Sequence, residues 1–263
     1  MQSNQTATRE ASSEARPIKD KLVVNDVRKT YSGHNGTLDV VGDISFVVPD
    51  GGTVAIVGPS GCGKSTLMRI LVGFEKPDSG SVLVDGVPRA GANKNGILIS
   101  QQGSVFPWLT VRQNLMFGLN QDCEEKRAAL ADRYAALVGL KDFENSYPHE
   151  LSGGMVKRVE LARALVVKPA ILFMDEPFSA LDALMSLRLR IEFLRILSEE
   201  RHTVVLITHD MEEAIHLADR ILVFSPRPAT IQAVFEVPFA HPRRLSSPEA
   251  QSLKEAILGE LRL

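Results

Sequence analysis

The sequence predicts an α/β fold in which a parallel β-sheet is covered by helices on both faces. Short apolar, β-branched runs alternate with segments whose apolar residues recur at helical spacing, a pattern typical of strand–helix–strand units. Residues 171–174 are all apolar, as expected of a central parallel strand buried on both faces. With 263 residues, of which 44% are hydrophobic and 24% charged, the chain suits one large domain with at most a small appendage.

Charge and cysteine content exclude several classes of protein. The net charge is −2, so no global basic field favours a nucleic-acid partner. No apolar run approaches the roughly 18–20 residues of a membrane helix, and residues 1–16 lack the apolar core of a signal peptide. Two cysteines, Cys62 and Cys123, give no disulfide framework and fit a reducing cytosol.

The first hundred residues predict strands separated by glycine-rich turns. Residues 1–20 are polar and are expected to be disordered. Alternating and β-branched segments then predict strands over 21–27, 40–48, 53–57, 81–84 and 96–100. A glycine-containing loop is predicted after Tyr31, and a helix over 66–72 ends at Gly73.

After residue 100 the apolar residues change from strand-like to helical spacing. Helical periodicity over 111–119, 124–138 and 152–167 predicts a mostly helical insertion at about 101–168. Strands and helices then alternate, with strands over 170–176, 203–208, 221–224 and about 230–236, and helices over 183–199 and 211–217. A tail interrupted by prolines leads to a last helix over 249–261.

The segment between the strand at 53–57 and the next helix fits G-x-x-x-x-G-K-[ST], the phosphate-binding loop. Its glycines let backbone N–H groups point at phosphate oxygens, and the helix N-terminus adds partial positive charge. Lys64 is expected to reach the β- and γ-phosphates and Ser65 to ligate Mg²⁺. Cys62 is either a small residue that fits a tight loop or a reactive thiol. The predicted phosphate-binding residues are Gly58, Pro59, Ser60, Gly61, Cys62, Gly63, Lys64, Ser65 and Thr66.

A second acidic site follows the apolar strand at 170–176. Asp175 falls at the carboxyl end of this strand, where ligands bind in open α/β sheets, and can hold Mg²⁺ opposite Ser65. Glu176 can orient and deprotonate an attacking water. A solvated acidic turn is the alternative, and the phosphate loop upstream favours function.

Residues 151–155, Leu-Ser-Gly-Gly-Met, resemble the LSGGQ signature of the ATP-binding-cassette (ABC) family. Ser152 can cap the following helix and offer a hydroxyl to phosphate, while Gly153 and Gly154 let backbone N–H groups approach an anion. The chain departs from the family pattern at Met155, at Lys157, where Gln is frequent, and at Ser100, where an aromatic residue is usual.

Other positions match ABC motifs in the family's order, and the resemblance implies their roles. Tyr31 matches the aromatic residue that stacks on adenine, and His209 the histidine that contacts the γ-phosphate. Gln101 matches the glutamine that senses Mg²⁺ and the γ-phosphate, with Gln102 as the rival. Asp182 ends Ser179-Ala180-Leu181-Asp182, which matches the loop that signals between two subunits.

The resemblance, over about 21–263, implies a P-loop NTPase fold with a RecA-like core, an N-terminal antiparallel β-subdomain and an inserted α-helical subdomain. The implied ABC ATPase domain covers 21–225, and 226–263 form a C-terminal strand and helix extension. ATP and Mg²⁺ are the implied ligands. Two copies of the chain would sandwich two ATP molecules, each between one subunit's phosphate loop and the other's signature, as a homodimer.

Further similarities favour the importer branch of the family. The stretch Phe106-Pro107-Trp108-Leu109-Thr110-Val111 resembles bacterial importer subunits, and residues 224–230 resemble ATPases of nitrate, sulfonate and taurine importers. The surface from Val105 to Phe117 is then expected to bind an integral membrane permease, with an extracellular or periplasmic binding protein as indirect partner. The implied location is peripheral, on the cytoplasmic side of the cell membrane.

Alternatives remain at this point. Trp108 is either an interface residue or part of the core of the helical insertion. A non-transport ABC ATPase of DNA repair or translation usually carries long coiled coils or two cassettes, and this chain shows neither. A cassette that binds ATP without turnover is disfavoured because Lys64, Glu176 and His209 are all present.

Overall fold

The computed structural model describes residues 19–33, 36–93, 95–100, 103–120, 123–179, 181–200 and 202–261. These residues form two β-sheets and seven α-helices, which confirms the predicted fold class. The strands are β1 (Asp20–Gly33), β2 (Gly36–Pro49), β3 (Thr53–Val57), β4 (Ser79–Val84), β5 (Val87–Pro88), β6 (Gly96–Ile99), β7 (Ile171–Asp175), β8 (Thr203–Ile207), β9 (Arg220–Phe224) and β10 (Ile231–Glu236). The helices are α1 (Lys64–Val72), α2 (Val111–Met116), α3 (Glu124–Leu137), α4 (Gly153–Val166), α5 (Ala183–Glu200), α6 (Met211–Leu217) and α7 (Pro248–Leu261).

The larger sheet has the strand order β10-β9-β3-β8-β7-β6. The strands from β9 to β6 are parallel, as predicted, whereas β10 pairs antiparallel with β9. The short connection between β9 and β10 explains this difference, because a parallel pair needs a longer crossover. In register, Ile207 of β8 pairs with Ile56 of β3 on one side and with Asp175 of β7 on the other. The carboxyl ends of three neighbouring strands therefore meet at one edge.

The hydrophobic core lies on both faces of this sheet. On β3, Val54 and Ile56 pack on the face covered by α1 and the smaller sheet. Ala55 and Val57 pack on the opposite face, which is covered by most of the helices. Because successive side chains of a strand point to opposite faces, a strand buried on both faces needs apolar residues at every position. This explains why the central strands read as continuous apolar runs.

The smaller sheet is antiparallel, with the order β2-β1-β4-β5. The strands β1 and β2 are longer than predicted, and they pair where the sequence predicts a loop after Tyr31. Tyr31 pairs with Leu38, and Ser32 pairs with Thr37. Cross-strand pairing therefore extends the ladder into a segment whose glycines predict a loop, since strand propensity depends strongly on neighbouring strands.

In the described part of the chain, the α-helices α2, α3 and α4 and a 3₁₀ turn at Pro148–Glu150 lie between β6 and β7. Helix α2 begins with a capping box in which Thr110 and Gln113 satisfy each other's backbone N–H groups, and it ends at Met116, earlier than predicted. The predicted disorder over 1–20 falls almost entirely outside the described residues, since β1 begins at Asp20. Among the described segments, we find no helix with the length and apolar character needed to span a bilayer.

Candidate active site

The predicted phosphate loop connects β3 to α1. Gly61 and Gly63 have φ angles of 71° and 129°, in the left-handed region that favours glycine. A Cβ atom on Gly63 would lie 2.7 Å from the carbonyl oxygen of Val40, so the backbone there leaves no room for a side chain. These conformations curl the loop, as required if its N–H groups are to converge on an anion.

Lys64 is held inside the curl of the loop. Its Nζ donates hydrogen bonds to the carbonyl oxygens of Gly58 (2.8 Å) and Pro59 (2.9 Å). The side chain is buried, so its ammonium group lies in a site with little competing water. Cys62 is 2% exposed, which favours its interpretation as a small packing residue over a reactive thiol.

An open cavity of about 400 Å³ lies beside the loop. The loop contributes Ser60, Gly61, Gly63, Lys64, Ser65 and Thr66 to its wall. The rest of the wall comes from the smaller sheet, from the end of β7 and from a later segment, through Tyr31, Leu38, Val40, Glu176 and Arg227. The cavity therefore combines a phosphate-binding loop with an aromatic ring and a carboxylate.

Asp175 lies at the end of β7 beside the first turn of α1. Burial raises the pKa of its carboxyl group, and a hydrogen bond with the Ser65 hydroxyl offsets only part of that effect. A desolvated carboxylate next to a hydroxyl oxygen fits Mg²⁺, which binds through one or two protein oxygens together with substrate phosphates. Ser65 and Asp175 are thus suited to hold this ion.

Glu176 follows β7 in an unusual backbone conformation. Its φ is 48°, in the left-handed region that non-glycine residues seldom adopt, and its N–H donates to the carbonyl of Ile207 (2.9 Å). This turn directs the side chain to His209, whose Nδ1 lies 3.3 Å from Oε1 of Glu176. The partly buried carboxylate and the exposed imidazole therefore form a pair next to the phosphate loop.

Tyr31 lies on β1 at the opposite end of the cavity. Its ring is 38% exposed and the Nζ of Lys29 lies 5.5 Å from the ring centroid. Burial, followed by a hydrogen bond with Glu75, raises the pKa of the Tyr31 hydroxyl. The partly exposed ring leaves a face onto which a planar group can stack.

The signature residues lie elsewhere on the surface. Ser152 caps α4 by accepting a hydrogen bond from the N–H of Met155 (3.3 Å), and Gly153 has open space around its Cα. Asp182 accepts a hydrogen bond from the N–H of Met185 at the start of α5 (3.0 Å) and is exposed. The wall of the phosphate-loop cavity, as far as the structure describes it, does not include Ser152, Gly153, Gly154 or Asp182.

The predicted site residues and the residues that line the cavity differ in part. Gln101 and its rival Gln102 lie outside the described residues. Arg227, by contrast, was not among the predicted site residues, yet it lines the cavity and donates through Nε to the carbonyl of Gly61 (3.1 Å). The only sequence signal for it was the proline-rich segment that surrounds it.

Comparison with known proteins identifies the family. The sequence model of the ABC transporter family matches residues 41–179. An ATP-binding protein of Brucella abortus is 42% identical over 91% of this chain and 93% of its own. The chain belongs to the ABC transporter family.

Relatives in this family include import subunits. The aliphatic sulfonates import ATP-binding protein SsuB of Bacillus thuringiensis is 38% identical, over 90% of this chain and 94% of its own. The nitrate import ATP-binding protein NrtD of Synechocystis is 42% identical, over 80% of each chain. Among solved structures, the dimeric ATP-binding cassette MJ0796 bound to ADP and Pi matches with a TM-score of 0.74 and 27% identity, over 83% of this chain and all of the other.

Two departures from the usual ABC motifs contact each other. Nζ of Lys157 donates to the carbonyl of Ser100 (3.2 Å) and lies 2.7 Å from Oε2 of the buried Glu160. The other carboxylate oxygen of Glu160 accepts from the N–H of Ser104. Helix α4, which begins at the ABC signature, therefore holds the chain on both sides of Gln101 and Gln102.

The aromatic residues after Gln101 form an exposed surface. Trp108 is 69% exposed and Phe117 is 67% exposed, and the ring of Phe106 contacts both, with centroid distances of 5.4 Å and 4.5 Å. The fully buried Asn114 donates from Nδ2 to three carbonyls of this loop and accepts from the N–H of Phe106. The exposure of Trp108 contradicts its alternative interpretation as a core residue.

Proposed function

We propose that this chain is the ATP-binding and hydrolysing subunit of an ABC importer for a small anionic solute. One observation carries the proposal: adjacent strand ends bring the phosphate loop, Asp175 and the Glu176–His209 pair to a single edge of the sheet. The names of SsuB and NrtD, import of aliphatic sulfonates and of nitrate, support an anionic solute and favour an importer over a non-transport ATPase.

The nucleotide would bind along the cavity from Tyr31 to the phosphate loop. Stacking on Tyr31 would hold the adenine, and the N–H groups of residues 58–66 would hold the phosphates. Lys64 would exchange its two carbonyl partners for phosphate oxygens, which are stronger, charged acceptors. Ser65 and Asp175 would hold Mg²⁺, together with Gln101, whose place is not among the described residues.

Glu176 is the proposed general base. Its carboxylate lies at the phosphate-loop cavity, where it can orient a water and accept its proton as the water attacks the terminal phosphorus. The imidazole of His209 is placed to orient Glu176 and to contact the same phosphate. The proposed catalytic residues are Glu176, His209, Gln101 and Lys64.

A homodimer would complete each site. In this chain Ser152, Gly153 and Asp182 are exposed and lie outside the phosphate-loop cavity. Two-fold symmetry would place the signature of one copy opposite the phosphate loop of the other, and would build two such sites. The dimeric state of the structural relative MJ0796 supports this arrangement.

The surface from Val105 to Phe117 is the proposed contact with the permease. Large exposed aromatic side chains are enriched at interface hot spots, and Asn114 fixes the loop that presents them. The chain would then act at the cytoplasmic face of the membrane and contact the solute-binding protein only through the permease.

Hydrolysis by a Glu176→Gln variant tests the proposal. The amide cannot accept the proton of the attacking water, so we expect turnover to fall by about 10²–10⁴-fold while ATP binding persists. Glu212→Gln is the matched control, because Glu212 is half-exposed, pairs with Lys254 of α7 and is absent from the described wall of the phosphate-loop cavity. Wild-type turnover in Glu176→Gln would mean that another group is the base.

A further inference from the structure

The segment that follows β9 runs along the outside of the phosphate loop. A Cβ atom on Gly58 would lie 2.9 Å from Cβ of Phe224, the last residue of β9. A Cβ atom on Gly63 would lie 3.4 Å from Cβ of Ala229. Two of the loop glycines thus face residues 224–229, which have no part in the phosphate-binding motif.

This segment is fixed to the smaller sheet. The N–H of Ala229 donates to the carbonyl of Val40 (2.9 Å), and the N–H of Gly42 donates to the carbonyl of Ala229 (2.9 Å). The hydroxyl of Ser225 hydrogen-bonds with the carbonyl of Pro228 (3.2 Å), and proline rings restrict the backbone further. Arg227 therefore projects from a rigid support.

Arg227 holds one peptide group of the loop. Its Nε and one terminal nitrogen both donate to the carbonyl oxygen of Gly61. This carbonyl belongs to the peptide that joins Gly61 to Cys62, and Gly61 has a φ of 71°, in the left-handed region that favours glycine. The N–H of Cys62 in the same peptide donates to the carbonyl oxygen of Pro59 (3.4 Å), so Arg227 holds one side of a peptide whose other side is bonded within the loop.

We propose that Arg227 is a positioning residue that keeps the phosphate loop in its nucleotide-binding conformation. The planar guanidinium offers two donors in a fixed fork to one carbonyl, which suits this task better than a flexible ammonium group. Because ADP and ATP would both bind to this loop, Arg227 would strengthen the binding of both nucleotides. This inference rests on the proposed function, since it takes the cavity as the nucleotide site.

The test compares Arg227→Ala with Arg220→Ala. Arg220 is the first residue of β9, and its Nε lies 2.6 Å from a carboxylate oxygen of Glu236. It pairs with Val54 near the start of β3, whereas the phosphate loop follows the end of β3. Arg220→Ala therefore removes an arginine that has a hydrogen-bond partner but does not contact the loop. Dissociation constants for MgADP and MgATP, kcat, KM and the melting temperature would be measured on the full chain. For Arg227→Ala we expect both dissociation constants to rise about 5- to 10-fold, since charge-assisted hydrogen bonds at an exposed site are of modest strength, with kcat at saturation unchanged within about twofold.

Arg227→Lys keeps the charge but loses the fork, and we expect intermediate affinities for both nucleotides. Wild-type affinity in Arg227→Ala would overturn the inference, and so would a fall in kcat without a change in affinity. If Arg227→Ala unfolds, Arg227→Lys decides: a folded protein with wild-type affinity would overturn positioning, and a folded protein with weakened affinity for both nucleotides would support it. Failure of the wild-type chain to bind MgADP would instead contradict the proposed function.

Discussion

Glu213 is a buried acid near the proposed catalytic residues Glu176 and His209, and its burial predicts a measurable effect on stability. Its Oε2 lies 2.6 Å from the hydroxyl of Thr208, and among the described residues Oε1 has no hydrogen-bond partner. Burial raises its pKa to about 7, with the nearby carboxylates of Asp210 and Glu176 adding to the effect and the Thr208 hydroxyl and Arg190 opposing it. The protonated form is therefore the one that the fold prefers.

The sign and size of the effect follow from proton linkage. Between pH 4.5, the ordinary pKa of the group, and about pH 7, the folded state binds more protons at Glu213 than the unfolded state does. Stability therefore falls as pH rises through this range, and the full loss is reached above pH 7. At 1.36 kcal/mol per pH unit, the loss is about 3 kcal/mol.

Glu213→Gln removes this titration with little change of shape, because an amide oxygen can accept from Thr208 as a neutral carboxyl does. We expect the variant to match the wild type near pH 4, below the ordinary pKa of the group, and to exceed its free energy of unfolding by up to about 3 kcal/mol at pH 8. Urea denaturation at several pH values measures the difference.

Glu212→Gln is the control on the same helix. The ion pair with Lys254 lowers the pKa of Glu212, so its removal should leave the pH dependence above pH 5 unchanged. A difference between Glu213→Gln and the wild type that stays constant from pH 5 to pH 8 would refute the argument, since it would mean that Glu213 does not titrate in this range.

Three further predictions concern the proposed site and its partners. Asp175→Asn should raise the melting temperature measured without Mg²⁺, because burial disfavours the charged carboxylate, and should abolish Mg²⁺-dependent hydrolysis; an unchanged or lower melting temperature would contradict this. Ser152→Arg and Lys64→Ala should each be inactive, but their mixture should recover activity, because a mixed dimer has one site with both lesions and one with neither; no recovery would argue against shared sites. The pair Trp108→Ala and Phe117→Ala should leave folding and ATP binding intact while co-purification with the permease is lost, and retained co-purification would move the contact elsewhere.

The part of the site that could be predicted from sequence is the part encoded by short-range pattern. The phosphate loop needs glycines within a few residues of one another, and Asp175 follows its own apolar strand, so both can be read without knowing the fold. The family motifs also gave separate roles to Glu176 and His209, whereas their contact at 3.3 Å came only from the structure. The strand order that brings these segments together came only from the structure, because pairing of β3 with β8 joins residues about 150 positions apart.

Features that depend on packing between distant segments could not be predicted from the sequence. Glu213 reads as a favourable acid in the first turn of α6, near the positive end of the helix dipole, and nothing local shows that its carboxyl group is buried. The N-terminal hairpin was predicted too short because its pairing is decided between strands. Lys157 and Ser100 lie 57 positions apart, and the hydrogen bond from Lys157 to the Ser100 carbonyl could be found only in the structure.

The proposed domain boundary at residue 225 does not separate the C-terminal extension from the phosphate loop, as the contact of Arg227 shows. The contact between Arg227 and Gly61 spans 166 residues and joins the start of the C-terminal extension to the phosphate loop. Ala229 pairs with β2 of the smaller sheet, and Gln232 on β10 donates to a carbonyl of α7. The start of the extension therefore contacts the phosphate loop directly, through Arg227 at Gly61 and through Ala229 at Gly63, and a change in its position would reach the loop.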